Sequence, residues 1–210
     1  MKIAIIGAGA MGSLYGAKLS RDPENEVWLL DVWQDHVDAV NREGLQMETN
    51  GEWETYAHLS AATDPQKAGI VDLAIIFVKS TLTRDAIRSN QAILGPETLV
   101  LTLQNGLGNV DQIKEVIGED RIIAGTTGHG ATMLGPGKIR HAGSGKTIIG
   151  LVQPVPGSDR PVAPLNQVVQ IFRNAGLDTE VSENVIGLIW DKLMVNVGIN
   201  ALTGITKLKN

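Results

Sequence analysis

A lysine and two asparagines set four residues apart, Lys192, Asn196 and Asn200, interrupt the apolar stretch from Ile186 to Thr203. At about 100° per residue they fall on one narrow stripe of a helix, with Thr203 close by. Buried polar groups are unfavourable unless partnered. On a helix expected to be largely buried, such a stripe implies a polar ligand or a polar neighbouring helix. A lysine cation beside an oxygen that is gaining negative charge can stabilise the charge and deliver a proton. The other strong signal opens the chain, where the apolar run Ile3 to Ile6 ends in Gly7-x-Gly9-x-x-Gly12 and a helical pattern follows at once. Gly7 permits a sharp turn, Gly9 lets phosphate approach the backbone, and Gly12 lets the helix lie close to the strand. The turn Gly7, Ala8, Gly9, Ala10, Met11 and Gly12 is expected to cradle a dinucleotide pyrophosphate at the helix N-terminus. Asp31 follows Gly12 by 19 residues, where a carboxylate accepts hydrogen bonds from the adenosine ribose 2′-OH. It would repel a 2′-phosphate, so NAD(H) is expected rather than NADP(H), unless Asp31 serves only as a turn residue.

Two further polar positions lie at the ends of apolar runs. Lys79 follows Asp72 to Val78, and Asn105 follows Leu99 to Gln104. In a doubly wound sheet ligands bind in the crevice outside the carboxyl ends of the strands. Lys79 is therefore placed to meet a carboxylate, a phosphate or a nicotinamide ribose, or it is a solvated surface lysine. Asn105-Gly106-Leu107-Gly108 lines the same crevice or is simply a turn. Trp33 either stacks on adenine or packs, and packing is favoured. Of the histidines, His36 and His58 are expected at the surface or in turns, while His129 and His141 lie in a glycine-rich stretch and are assigned no place in the site. None has metal-ligand spacing, and no metal site is expected.

These residues need a scaffold that brings strand ends together. Strand patterns lie near 2–6, 26–30, 72–78, 98–103 and 122–126, and helical patterns near 10–20, 34–42, 81–94 and 109–117. The alternation predicts an α/β, Rossmann-type, doubly wound and mainly parallel sheet. Residues 44–59 alternate around Asn50-Gly51, a hairpin signal, and are expected to form a β excursion. Asn109 with Gln112 resembles a capping box. From 127 to 150 short strands near 137–141 and 146–150 suggest an antiparallel extension. Pro154, Pro156, Pro161 and Pro164 mark a loop before a helix near 163–175, and a strand follows at 177–181. Ser182 is expected to cap a helix from Glu183 to about Thr203. Residues 1–181 then form a dinucleotide-binding domain, and residues 182–210 open an α-helical substrate domain.

Across the 210 residues, 18 basic against 23 acidic side chains give a net charge of −5, with no cysteine. The acidic balance argues against nucleic-acid or anionic-membrane partners. Disulfides, thiolate zinc sites and cysteine nucleophiles are excluded. No apolar run is expected to span a membrane, and a cytoplasmic protein is expected.

Taken together, the residues resemble the ketopantoate reductase (2-dehydropantoate 2-reductase) family. The likeness rests on Gly7-x-Gly9-x-x-Gly12, Val78-Lys79, Gln104-Asn105-Gly106-x-Gly108, Gly125 to Ala131, Pro136-Gly137-x-Ile139-x-His141, and Trp190-x-Lys192 through Asn196 and Asn200 to Thr203. It implies reduction of a 2-keto acid by a nicotinamide cofactor on the path to pantothenate and coenzyme A. By the resemblance Lys192 is the general acid and Asn105 orients cofactor and substrate. Asn196 and Asn200 bind substrate, and Lys79 lines the site. Two departures stand out. The family commonly carries an arginine after the second strand for the 2′-phosphate of NADP(H), where this chain reads Leu30-Asp31-Val32-Trp33. The family also continues into a helical domain supplying a carboxylate and a hydroxyl residue, so a truncated chain is expected, with an apolar last helix suited to a homodimer. Two other readings are a non-catalytic NAD-binding sensor or docking module, and a related keto-acid reductase with another substrate.

Overall fold

The computed structural model describes residues 1–118, 120–152 and 163–207. Chain order is β1 (Lys2–Ile6), α1 (Ala10–Leu19), β2 (Glu26–Leu30), α2 (Gln34–Glu43), β3 (Leu45–Thr49), β4 (Glu52–Tyr56), β5 (Leu59–Ala62) and β6 (Leu73–Ile76). It continues with α3 (Thr83–Ser89), β7 (Leu99–Thr102), α4 (Asn109–Ile117), β8 (Ile122–Thr127), β9 (Gly130–Gly135), β10 (Lys138–Gly143), β11 (Thr147–Leu151), α5 (Ala163–Asn174), β12 (Thr179–Val181) and α6 (Val185–Thr206).

The main sheet runs β12-β11-β8-β7-β6-β1-β2-β5. The six strands from β5 to β8 are parallel throughout. β11 is antiparallel to β8, and β12 parallel to β11. The chain goes outward from β1 to β2 on one side and from β1 to β6 on the other, so the switch point, and the crevice, lie between β1 and β6. Strand alternation explains the two-sided core. Ile3, Ile5, Leu73 and Ile75 pack towards α1 and α5, while Ala4, Ile6, Ala74 and Ile76 pack towards α3 and α4. Covered on both faces, the inner stretches Ile3–Ile6 and Leu73–Ile76 are apolar at every position.

The second sheet, β4-β3-β10-β9, lies against α1. Its β3–β4 hairpin turns at Asn50 and Gly51, both with positive φ (54° and 88°), as a two-residue primed turn requires. The excursion is larger than expected. β5 returns to the main sheet beside β2, and β9 pairs with β10. Neither strand was anticipated, because each is short and interrupted by small residues.

Several expectations are corrected. The helix expected over 81–94 is broken into short 3-10 turns flanking α3, since Asn90 and Gly95 do not sustain it. Strand 72–78 is shorter, ending at Ile76. Asn109 is not a capping residue. Gly108 occupies the N-cap, and Asn109 Oδ1 instead accepts from Thr83 Oγ1 at 3.2 Å. The cap of α6 is Asn184, whose Oδ1 accepts from the Gly187 N–H at 3.0 Å, and not Ser182. The loop at Pro154, Pro156 and Pro161 lies outside the described residues.

The greatest difference concerns α6. It packs on β8 and β11 through Val185 and Ile189, but beyond that it stands clear, with Met194 70% and Ile205 80% exposed. The expectation of a largely buried helix is therefore wrong for this chain. By length and composition α6 is also apolar enough to cross a membrane, against expectation, because Asp191 and Lys192 are diluted over its 22 residues.

The closest packing is between α1 and β1. A Cβ on Gly12 would sit 2.0 Å from the Gly7 carbonyl oxygen, and main chain cannot yield as a side chain can. Gly9 has nothing within 4 Å. Gly12→Ala is expected to destabilise the protein by about 1–3 kcal/mol, as overpacking does, while Gly9→Ala leaves stability unchanged. Denaturant unfolding of both variants checks this.

Candidate functional site

β1 ends at the crevice with Gly7, whose φ of 96° only glycine adopts readily. The Gly7 N–H donates to Leu30 O at 2.8 Å, tying the turn to the end of β2. α1 then starts at Ala10, with Gly9 as N-cap, no side chain capping it and no acidic residue in its first turn. Free N–H groups and the positive end of the helix dipole are thus turned towards the crevice. The Asp31 carboxylate braces this turn, accepting from the Ala8 N–H at 2.7 Å and the Trp33 N–H at 3.0 Å.

Two cavities flank the turn, and Val78 borders both. One, of about 270 Å³, has Gly7, Leu30, Asp31, Val32, Val78 and Leu82 in its walls, with Asp85 and Asn90 at its polar rim. The other, of about 430 Å³, gathers Met11, Lys79, Asn105, Thr127, His129, Lys192 and Asn196. Residues far apart in sequence are brought together because they lie at the carboxyl ends of β1, β6, β7 and β8 and on one face of α6.

Lys192 is half-buried, and its Nζ donates to the Thr127 carbonyl at 2.7 Å. Burial holds its pKa below the ordinary lysine value, since desolvation penalises the charged form. Thr127 is itself fixed. It pairs with Thr147 across β8 and β11, and the following Gly128 N–H donates to Lys146 O at 2.8 Å. Gly128 and Gly145 cross so closely that a Cβ on Gly145 would meet Gly128 main chain at 2.5 Å. Opposite, the Asn105 carbonyl accepts from Ser80 Oγ and Asn109 Nδ2, both at 3.2 Å. Gln104 Nε2 donates to Val78 O at 2.6 Å, locking the β6 and β7 loops together.

Lys79, Asn105, Lys192 and Asn196 thus share one cavity with Met11, while Gly7 and Asp31 line the other. Ala8, Gly9, Ala10 and Gly12 form the turn and helix start between them. Asn200 lies within α6, and its side chain falls outside the described residues. Trp33 stacks on His36 with centroids 5.5 Å apart and planes at 18°, and is itself partly exposed. His36 is not a surface residue. It is 0% exposed and accepts from the Gly137 N–H at 3.0 Å, and its Nε2 lies 3.3 Å from Ser13 Oγ. In sequence it reads as polar residue of a surface helix; only the second sheet, closing over α1 and α2, buries it. Thr127 and Gln104 were missed because a carbonyl and a loop brace leave no pattern in sequence.

The donor set is that of a site for anionic and carbonyl-bearing ligands: a cation, carboxamides and helix N–H groups. Gly9, with nothing within 4 Å of where a Cβ would stand, leaves room for a diphosphate against the backbone at the start of α1, so a dinucleotide fits the residues present.

A family model described as ketopantoate reductase PanE/ApbA matches residues 3–154. The 2-dehydropantoate 2-reductase of Halobacterium salinarum is 37% identical, aligned over 100% of this chain and 67% of its own length. That of Pyrococcus horikoshii is 41% identical, over 100% and 65%. The chain thus spans about two-thirds of the length of the curated relatives it matches. Among solved structures, D-mandelate dehydrogenase with NADH and anilino(oxo)acetate superposes with a TM-score of 0.89 at 32% identity, over 99% of this chain and 65% of that one. A PanE/ApbA family ketopantoate reductase from Ralstonia eutropha gives 0.86 at 36% identity, over 99% and 65%.

Burial pushes His36, His129 and His141 below the ordinary histidine value of 6.5. Each binds its proton more readily unfolded, so the folded state is favoured in full above pH 6.5 and loses ground as pH falls through the depressed values. The unfolding midpoint is expected to drop as pH falls below about 6.5, and His36→Gln to flatten that drop. Thermal unfolding across this range tests it.

Proposed function

The chain belongs to the ketopantoate reductase PanE/ApbA family, and on that footing we propose that it reduces a 2-keto acid, 2-dehydropantoate foremost, using NADH. The observation that carries this reading is the half-buried Lys192 ammonium in the same cavity as Asn105 and Asn196, beside the glycine turn.

A nicotinamide dinucleotide, when bound, supplies hydride to the keto carbon. Gly7, Ala8, Gly9, Ala10, Met11 and Gly12 would hold its diphosphate, and Asp31 its adenosine ribose. Lys192 does the proton chemistry. Its Nζ, held by the Thr127 carbonyl, keeps a proton to pass to the keto oxygen and meanwhile stabilises the charge building there. Asn105 would keep cofactor and keto acid in register from the β7 side. Asn196, one turn along α6 from Lys192, is positioned for substrate polar groups, and Asn200 would extend the stripe. Lys79, exposed at the crevice mouth, would attract the carboxylate. Residues 182–210 would open the substrate-binding part, beginning with α6. The polar stripe of that helix serves the cavity, which supports a water-soluble, cytoplasmic enzyme over a membrane-spanning one.

The curated relatives favour 2-dehydropantoate as substrate. The likeness to D-mandelate dehydrogenase, whose solved complex holds NADH and anilino(oxo)acetate, favours a second reading, an aryl 2-keto acid. A panel of 2-keto acids with NADH separates the two. A non-catalytic sensor would bind NADH and oxidise it with none of them.

Lys192→Ala is expected to lower kcat/KM by about 10²–10⁴-fold, the range for loss of a general acid. In the unaltered enzyme the reductive rate falls on the alkaline side at a pKa below that of an ordinary lysine. Near-normal turnover in Lys192→Ala would remove the lysine from the chemistry. A separate titration addresses the coenzyme. NADPH is expected to bind at least about tenfold more weakly than NADH, because like charges meet at Asp31, and Asp31→Asn narrows the gap. Equal affinities in the unaltered protein refute the ribose role.

A further inference from the structure

Both main-chain polar groups of Ala8, in the glycine turn, are held by side chains. Its N–H donates to Asp31 Oδ2 at 2.7 Å, and its carbonyl accepts from Ser13 Oγ at 2.8 Å. Ser13, in the first turns of α1, is fully buried, and its Oγ lies 3.3 Å from His36 Nε2. His36 is fully buried too, and its Nδ1 accepts from the Gly137 N–H at 3.0 Å.

These contacts admit one arrangement of protons. A main-chain N–H can only donate, so His36 Nδ1 is bare and the neutral ring carries its proton on Nε2. Ser13 has a single hydroxyl proton, and that goes to the Ala8 carbonyl. Ser13 Oγ therefore receives the Nε2 proton of His36. A relay runs from Gly137 through His36 and Ser13 to Ala8, and it joins the second sheet to the glycine turn.

The consequence lies at the other end of the same peptide unit. In a planar trans peptide the carbonyl and the following N–H point opposite ways, and no cis bond occurs among the described residues. With the Ala8 carbonyl turned inward to Ser13, the Gly9 N–H is turned outward. Gly9 is exposed, with open space where a Cβ would stand. Its N–H makes no hydrogen bond to the described residues. An N–H held in this way beside the start of α1 suits a phosphate oxygen.

We propose that Ser13 and His36 are positioning residues for the coenzyme diphosphate, fixing the Ala8–Gly9 peptide so that the Gly9 N–H already faces outward before the anion arrives. The proposal rests on the dinucleotide-binding reading above. A polar pair buried beneath the turn, where apolar side chains would cost less, thereby has a use. Gly137 is itself closely placed, since a Cβ there would lie 3.0 Å from Ala39 Cβ on α2.

The test compares binding of ADP-ribose, which carries the diphosphate without the nicotinamide, with binding of adenosine, which carries no phosphate. Ser13→Ala is expected to weaken ADP-ribose about tenfold, the low end for one hydrogen bond to a charged group, and to leave adenosine unchanged. His36→Phe is expected to lose part of the same amount. Because His36 acts through Ser13, the double variant is expected to lose no more than Ser13→Ala alone. Equal losses for both probes, losses that add in the double variant, or unchanged ADP-ribose affinity in a folded Ser13→Ala each overturn the proposal. Nitrogen-15 spectra of the unaltered protein decide the matter if the variants do not fold. His36 is expected to be protonated on Nε2 and bare on Nδ1. ADP-ribose is expected to shift the Gly9 amide and the His36 Nε2–H together, since linked hydrogen bonds polarise one another, and adenosine to shift neither. A proton on Nδ1, or a Gly9 amide that moves while His36 stays in place, overturns the proposal. If the unaltered protein does not bind ADP-ribose at all, the coenzyme reading itself fails and takes the proposal with it.

Discussion

Everything in the crevice depends on how closely α1 can lie over the end of β1. Gly12 stacks on the Gly7 carbonyl with no room for a Cβ, and Gly16 does the same against Leu29, where a Cβ would meet the leucine side chain at 2.5 Å. This contact directs the first turn of α1 at the gap between β1 and β6. It also lets the second sheet close over the helix from outside. A side chain at Gly12 would lift the helix, and the N–H groups would no longer converge on the crevice. The dense packing of protein interiors makes such a shift hard to absorb locally.

The far side of the site is built differently. α6 touches the rest of the chain mainly through Val185 and Ile189, yet its lysine reaches the Thr127 carbonyl at 2.7 Å. That single hydrogen bond, made by a charged donor in a partly desolvated place, sets where the ammonium sits. Its placement is only as good as that of Thr127, and Thr127 is defined by the crossing of Gly128 and Gly145 and by the β8–β11 ladder. Glycines thus govern both halves of the cavity for the same reason: main chain must pass main chain at a distance that excludes a side chain.

Much of the layout was legible beforehand. The parallel strands could be read because burial on both faces demands unbroken apolar runs, and the Asn50-Gly51 turn because positive φ at successive positions suits few residue pairs. The stripe of Lys192 and Asn196 followed from helical spacing alone. What was missed had no such mark. β5 and β9 are strands by virtue of their partners, Val27 to Leu30 and the residues of β10. His36 is buried under the second sheet, and its partner there, the Gly137 N–H, is 101 residues away in sequence. The exposure of α6 was misjudged because its composition records what the helix is suited to touch and not what this chain brings against it.

The sequence by itself determined the glycine turn, the acidic residue after β2, the polar stripe of α6 and the family likeness, since each is set by local sterics or by a fixed helical or strand period. Only the tertiary structure decided that Lys192 meets the Thr127 carbonyl, that Asp31 braces the Ala8 N–H, and that His36 is buried against the Gly137 N–H. Those outcomes depend on which strand ends and loops arrive at the same point. Long-range packing settles that, and no spacing along the chain encodes it.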